Sequence, residues 1–140
     1  MKRNYTEQAE KAISKASRYA AKMGRSVIGT EHLLYGLAAV SGMASRILKE
    51  NGIDKKDIEF TIENYCGGPS DVLDRPKGEL SPKLEELLLQ SEAEAKRYSS
   101  ESIGTEHMLL AVLKDTSSVA FHLLTKLKAN VLSLIHISEP

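Results

Sequence analysis

Near the start of the chain, Ala9, Ala12, Ile13, Ala16, Ala20 and Met23 recur every three or four positions and share one face of a helix. Thr6 is placed to cap that helix, with Glu7 in its positively polarised first turn, and the pattern runs to about Gly24. Leu33, Leu34, Leu37 and Ala38 predict a second helix, capped by Thr30 and ending near Ser41-Gly42. A third covers roughly 43–50 and stops at Asn51-Gly52. Asp54 opens a fourth that reaches about Tyr65, with Ile58, Ile62 and Tyr65 as its apolar positions. Cys66-Gly67-Gly68-Pro69 then breaks the helix, and a polar stretch with Pro76 and Gly78 leads to Ser81-Pro82. A hydroxyl at the cap followed by proline in the first turn restarts a helix. Helices are predicted near 81–98, 105–114 and 117–127, and no β-branched alternation predicts a strand.

The second half repeats the first. Ile28-Gly29-Thr30-Glu31-His32 returns unchanged as Ile103-Gly104-Thr105-Glu106-His107, 75 positions later. The same offset pairs the first apolar series with Leu84, Leu87, Leu88, Ser91, Ala95 and Tyr98, five of them apolar or aromatic. Leu33, Leu34, Leu37 and Ala38 match Met108, Leu109, Val112 and Leu113; after a one-residue insertion, Ala44, Ile47 and Leu48 match Ala120, Leu123 and Leu124. The expected fold is all-α: two tandem pseudo-symmetric four-helix units in one domain over 1–130, with repeat one at 4–65, a linker at 66–80 and repeat two at 81–130. Residues 131–140 break the match. Val131-Leu132-Ser133-Leu134-Ile135 is apolar almost all round where the first unit is amphipathic. It reads as a poorly matched last helix or as a non-native tail, with the tail preferred, and no function is assigned to it.

Composition narrows the function classes. The 140 residues carry 19 basic and 19 acidic side chains, without the basic excess or stripe of a phosphate-gripping nucleic-acid binder. Cys66, the single cysteine, forms no internal disulfide and anchors no cysteine-based zinc site. No run approaches the ~18 apolar residues of a membrane span, and the start carries no apolar signal core, so a cytoplasmic protein is expected. The chain has no P-loop and no Gly-x-Ser-x-Gly; Cys66 sits at a helix end, where the dipole raises a thiol pKa. Neither a catalytic set nor a metal or other cofactor is expected, and the charged run Glu92–Arg97 reads as a solvated helix face.

The Gly-Thr-Glu-His element admits two readings. In one it is structural: Gly29 and Gly104 let the loop turn, Thr30 and Thr105 cap, and Glu31 and Glu106 sit at the first helical position, where negative charge is favoured by about 0.3–1 kcal/mol. In the other, an exposed carboxylate stands at the same place in each unit beside another helix start, at Ser81 or Thr6. A carboxylate attracts a guanidinium or ammonium and a helix N-terminus attracts phosphate, so such a pocket suits a ligand cationic at one end and anionic at the other. His32 and His107 are expected to be packed and hydrogen-bonded rather than metal ligands, and His122 to lie on the surface.

Tyr5-Thr6-Glu7-Gln8-Ala9, the two copies of Ile-Gly-Thr-Glu-His-(Leu/Met)-Leu and Leu80-Ser81-Pro82-Lys83 resemble the Clp N-terminal repeat domain, most closely that of ClpC, an Hsp100 AAA+ unfoldase. The resemblance covers about 4–130; Lys128-Ala129 and the tail depart from it. It implies a domain that receives substrates and adaptors on an ATPase ring for ClpP-dependent proteolysis. The implied partners are MecA-like and McsB-like adaptors and phosphoarginine-bearing proteins, with neither nucleic acid nor membrane among them. It implies two phosphoarginine sites using Glu31 and Glu106, with Thr6, Ser81 and Lys83 beside them. A docking platform for adaptors, with structural glutamates, is the alternative.

Overall fold

Helices account for every named element in the computed structural model, which describes residues 4–67 and 79–127. They are α1 (Glu7–Lys22), α2 (Thr30–Ala39), α3 (Met43–Glu50), α4 (Lys55–Cys66), α5 (Pro82–Arg97), α6 (Thr105–Lys114) and α7 (Val119–Lys126). The expected all-α class holds. The expected eighth helix and the tail lie outside the described residues, as does most of the linker.

The boundaries follow local chemistry. Thr6, Ser81 and Ser118 each accept an N–H three residues on, from Ala9, Leu84 and Phe121, at 3.1 Å. Asp54 and Asp57 cap reciprocally, each carboxylate taking the other's amide at 3.0 Å. Helix α1 stops at Lys22, two residues early, because Gly24 turns left-handed (φ 73°) and the Arg25 amide folds back to Ala20 O at 2.9 Å.

The core is aliphatic and small-residue packed. Ala9, Ala12, Ala16 and Ala20 of α1 are fully buried, and α6 is buried from Thr105 through Leu113 except for Glu106, which makes it a central helix. Ser91, the polar misfit in the repeat series, is buried and donates its hydroxyl to Leu87 O at 2.9 Å, so it costs no unpaired group. Tyr65, expected on the apolar face of α4, is instead 56% exposed, with Lys126 Nζ 5.1 Å from its ring centroid. Glu94, expected on a solvated face, is buried, and takes Lys114 Nζ at 2.9 and 3.0 Å and Gln90 Nε2 at 2.7 Å.

The halves are stitched by exchange. Thr6 N donates to Ile103 O at 2.9 Å and Ile103 N to Asn4 O at 2.7 Å; Ser81 N donates to Ile28 O and Ile28 N to Glu79 O, both at 2.9 Å. These two isolated bridges bring the entry of each unit's first helix beside the Gly-Thr-Glu-His element of the other unit.

Candidate ligand site

The exchange decides what surrounds each glutamate. Glu31 of α2 shares a pocket of about 360 Å³ with Ser81 and Lys83 at the head of α5, and with Arg25, Ser117 and Val119. Glu106 of α6 follows Ile103, whose carbonyl is bonded to the Thr6 amide at the head of α1. Both glutamates are half-buried, neither sunk in the bundle nor free in solvent. Glu31 thus lies beside a helix start from the opposite half, Glu106 is tied to one through Ile103, and neither is as exposed as the repeat led one to expect.

The roles inside the motif differ from the expectation. Thr30 and Thr105 are the first residues of their helices, and Gly29 and Gly104 are the caps. The two threonines cap across the halves instead: Ala120 N of α7 donates to Thr30 Oγ1 and Ala44 N of α3 to Thr105 Oγ1, both at 3.2 Å. The glycines are not turning the chain, since their φ values of −100° and −97° suit any residue. They make room. A Cβ on Gly29 would stand 2.2 Å from Glu31 Oε1, and one on Gly104 2.1 Å from Glu106 Oε1. Each carboxylate is folded over its own glycine, a seat that any side chain would fill.

The histidines hold the same loop from inside. Gly29 N donates to His32 Nδ1 at 2.8 Å and Gly104 N to His107 Nδ1 at 2.9 Å, both rings being buried. This fixes the neutral tautomer with its proton on Nε2. The packed, hydrogen-bonded role expected for them holds, and His122 is exposed as expected. Burial pushes the His32 pKa below its usual 6.5; Glu31 opposes that shift and Arg25 reinforces it. The unfolded state therefore binds the proton first, so stability from this cap is complete above pH 6.5 and is lost as pH falls below it. Imidazole NMR shifts should report an apparent pKa under 6.5 for His32, with a parallel loss of thermal stability.

Lys83 is engaged before any ligand arrives. Its Nζ lies 3.4 Å from Asp115 Oδ2 and 3.5 Å from Glu86 Oε2. Burial would raise the Asp115 carboxyl, but hydrogen bonds from Ser117 and the Lys83 charge outweigh it and hold it low. Thr6 and Ser81 both spend their hydroxyls on their own helices. Among the described residues, the donors left without a partner at these two helix starts are first-turn amides. At α1 these belong to Glu7 and Gln8; at α5 Pro82 has none, leaving that of Lys83.

Sequence reasoning missed Val27 and Val119, exposed apolar residues at 39% and 41% that rim the Glu31 pocket. The repeat offered a signal: the counterpart of Val119 is Met43, another exposed apolar residue in a helical first turn. Cys66 is half-buried, and burial pushes its thiol up, followed by Glu31, against the pull of Arg25. Among the described residues, no group of three or more His, Cys, Asp or Glu could hold a metal ion. No single described helix is long and apolar enough to cross a membrane; Thr105–Lys114 and Val119–Lys126 pass such a test only together, bent by 86°.

Residues 4–127 match the family model described as the Clp repeat (R) N-terminal domain. The chain is 33% identical over 127 residues to the chloroplastic chaperone protein ClpC of Pisum sativum, covering 90% of this chain and 14% of that protein. It is 31% identical to the ClpA homologue of the ATP-dependent Clp protease ATP-binding subunit of Guillardia theta, covering 94% and 17%. The chain thus spans about one-seventh of the length of such relatives. Among solved structures, the N-terminal domain of ClpD from Arabidopsis thaliana superposes with a TM-score of 0.78 at 20% identity, covering 96% of this chain and 94% of that one. The Hsp104 N-terminal domain from Candida albicans gives 0.75 at 17% identity, covering 96% and 89%.

Proposed function

The chain belongs to the family of Clp repeat N-terminal domains, and from that premise we propose that it is a substrate- and adaptor-recognition domain of a Clp-type unfoldase, binding phosphoarginine-marked proteins for ClpP-dependent degradation. The observation that carries this reading is the carboxylate seat. Twice in one chain a glutamate is folded over a glycine beside the entry to a helix from the other half.

Phosphoarginine is a two-ended ligand. Its guanidinium would pair with Glu31 or Glu106, each charge-assisted contact contributing roughly 1.5–3 kcal/mol. Its phosphoryl group would take the free first-turn amides: Lys83 with its ammonium group at one pocket, Glu7 and Gln8 at the other. The ammonium would replace the donor that Pro82 lacks, in exchange for its contacts with Asp115 and Glu86. Two weak pockets in one chain reinforce each other when a substrate carries two marks. MecA-like and McsB-like adaptors are the proposed protein partners, and the exposed Val27 and Val119 offer them apolar contact beside the same pocket. The compartment stays with the parent protein: several relatives are named as chloroplastic, so membership of the family does not place this chain in the cytoplasm.

The test is a phosphoarginine titration followed residue by residue by NMR. Amide shifts are expected at 29–32 with 81, 83 and 84, and at 104–107 with 6–9. Glu31→Ala with Glu106→Ala should abolish binding and leave the helical signal intact. Gly29→Ala with Gly104→Ala should do nearly the same, because the new methyl displaces only a flexible carboxylate. Undiminished affinity in the double glutamate variant would reject the reading; tight adaptor binding with no phosphoarginine response would favour a docking platform whose glutamates are structural.

A further inference from the structure

The outer face of α1 carries a second constellation, remote in role from the two glutamates. Lys15, Arg18 and Lys22 are exposed and spaced three and four residues apart, so they form one stripe about 10 Å long. None of them has an ion-pair or hydrogen-bond partner among the described residues. Together with Tyr19 and Tyr35 they line a cleft of about 130 Å³. Tyr19 is only 5% exposed and stacks on Tyr35 at 4.2 Å between ring centroids, and its hydroxyl has no hydrogen-bond partner. A buried hydroxyl left unpaired costs about 1–3 kcal/mol and calls for an explanation.

The other half of the molecule shows what this place accepts. At the repeat offset, Tyr19 corresponds to Glu94, Lys15 to Gln90 and Ala39 to Lys114. In repeat two a carboxylate therefore occupies the position and is satisfied internally by the Gln90 amide and the Lys114 ammonium. Repeat one has the inverse: three cations and a hydroxyl donor without partners among the described residues, while the carboxylate nearest the cleft, Glu59, is engaged with the Tyr35 hydroxyl. Glu59 and Glu63 of α4 face the Tyr19 hydroxyl more remotely; after burial, their charges help to push its pKa up to about 12, so it remains a neutral donor at physiological pH.

We propose that this face of α1 docks an extended acidic segment of a partner polypeptide, one carboxylate of which accepts the Tyr19 hydroxyl while Lys15, Arg18 and Lys22 neutralise it and its neighbours. Glutamates at alternate positions of an extended strand stand about 6–7 Å apart on one side, which matches a stripe of three cations along two helical turns. The cleft has room for the carboxylate end of a side chain. The balanced net charge of the chain argues against a polyanion such as nucleic acid, which a broad basic field would gather.

The probe is a fluorescein-labelled peptide with three glutamates alternating with serine, titrated into the full chain at low salt and followed by anisotropy. Binding should weaken steeply as salt is raised. Replacing Lys15, Arg18 and Lys22 together by alanine should weaken it about tenfold or more, as the sum of three exposed charge contacts. Tyr19→Phe keeps the ring stack, removes only the hydroxyl, and should also weaken binding about tenfold, the value of a hydrogen bond to a charged acceptor. Glu31→Ala, which removes a proposed phosphoarginine carboxylate, should leave it unchanged, so the two proposals stand or fall separately. Full affinity in Tyr19→Phe, an equal loss when Lys49, Lys55 and Lys56 are replaced instead, equal competition by inorganic phosphate, or no peptide binding at all would each overturn the site.

Discussion

Lys114→Met is expected to lower the stability of the chain by about 3 kcal/mol, the low end of what breaking a buried ion pair costs. The Glu94 side chain is 3% exposed and that of Lys114 29%, and their closest approach is 2.9 Å. Removing the ammonium leaves a carboxylate inside the protein with the Gln90 amide as its one remaining hydrogen-bond donor among the described residues. The residual exposure of Lys114 lets water reach the site in part, which keeps the loss from the upper end of the range. The companion change Glu94→Leu removes the stranded charge, so the Glu94→Leu, Lys114→Met double variant should regain most of the lost stability. Urea melts of the two single variants and the double one give the coupling directly. If Lys114→Met melted with the parent chain, the carboxylate would have to be hydrated, and the burial argument would fail.

Gly36→Ala is the second large effect. At an exposed helical position this change adds about 1 kcal/mol, because alanine is the better helix former. Here the new Cβ would stand 2.2 Å from the Ala12 carbonyl oxygen, 3.0 Å from its carbon and 3.3 Å from the Ala16 amide nitrogen. All three are backbone atoms of α1, so no side chain can swing aside and the helices must part. Overpacking of this kind costs about 1–3 kcal/mol beyond the propensity gain, with the larger values where the backbone must move. A net loss near 2 kcal/mol corresponds to roughly 6–8 °C in Tm for a domain of this size. The repeat supplies the contrast: Ala111 holds the same place on α6, so α5 and α6 accommodate a Cβ that α1 and α2 do not. A melting temperature equal to or above that of the parent would show that the α1–α2 contact is looser than these distances.

Most of the fold was readable from the chain because its signals are local. Caps at Thr6, Asp54 and Ser81 act within three residues, and the apolar series acts within a helix, so both survive inspection of a one-dimensional string. The duplicated pentapeptide likewise pointed to Glu31 and Glu106 and to the helix starts beside them. What the string hid were pairings made at long range. Thr30 looks like the cap of its own helix until Ala120, 90 residues away, is found bonded to it. Glu94 sits in a run of charges that resembles a wet surface, and only its partner 20 residues on explains why it is inside. Gly29 resembles a turn glycine because the carboxylate that needs its empty side is not where helical geometry alone would aim it. In each case the residue type was conspicuous and the partner was not.

The exchanged caps have a consequence for how the protein is put together. The first turn of α3 is completed by Thr105 and that of α7 by Thr30, so neither half owns all the acceptors its own helices require. A lone half would leave an amide unpaired at a buried helix start, and the pocket at Glu31 would lack the wall that Ser81 and Lys83 supply. Sequence duplication has therefore not produced two autonomous beads. Each half is thereby stabilised by the presence of the other, and the pocket at Glu31 exists only where both are in place.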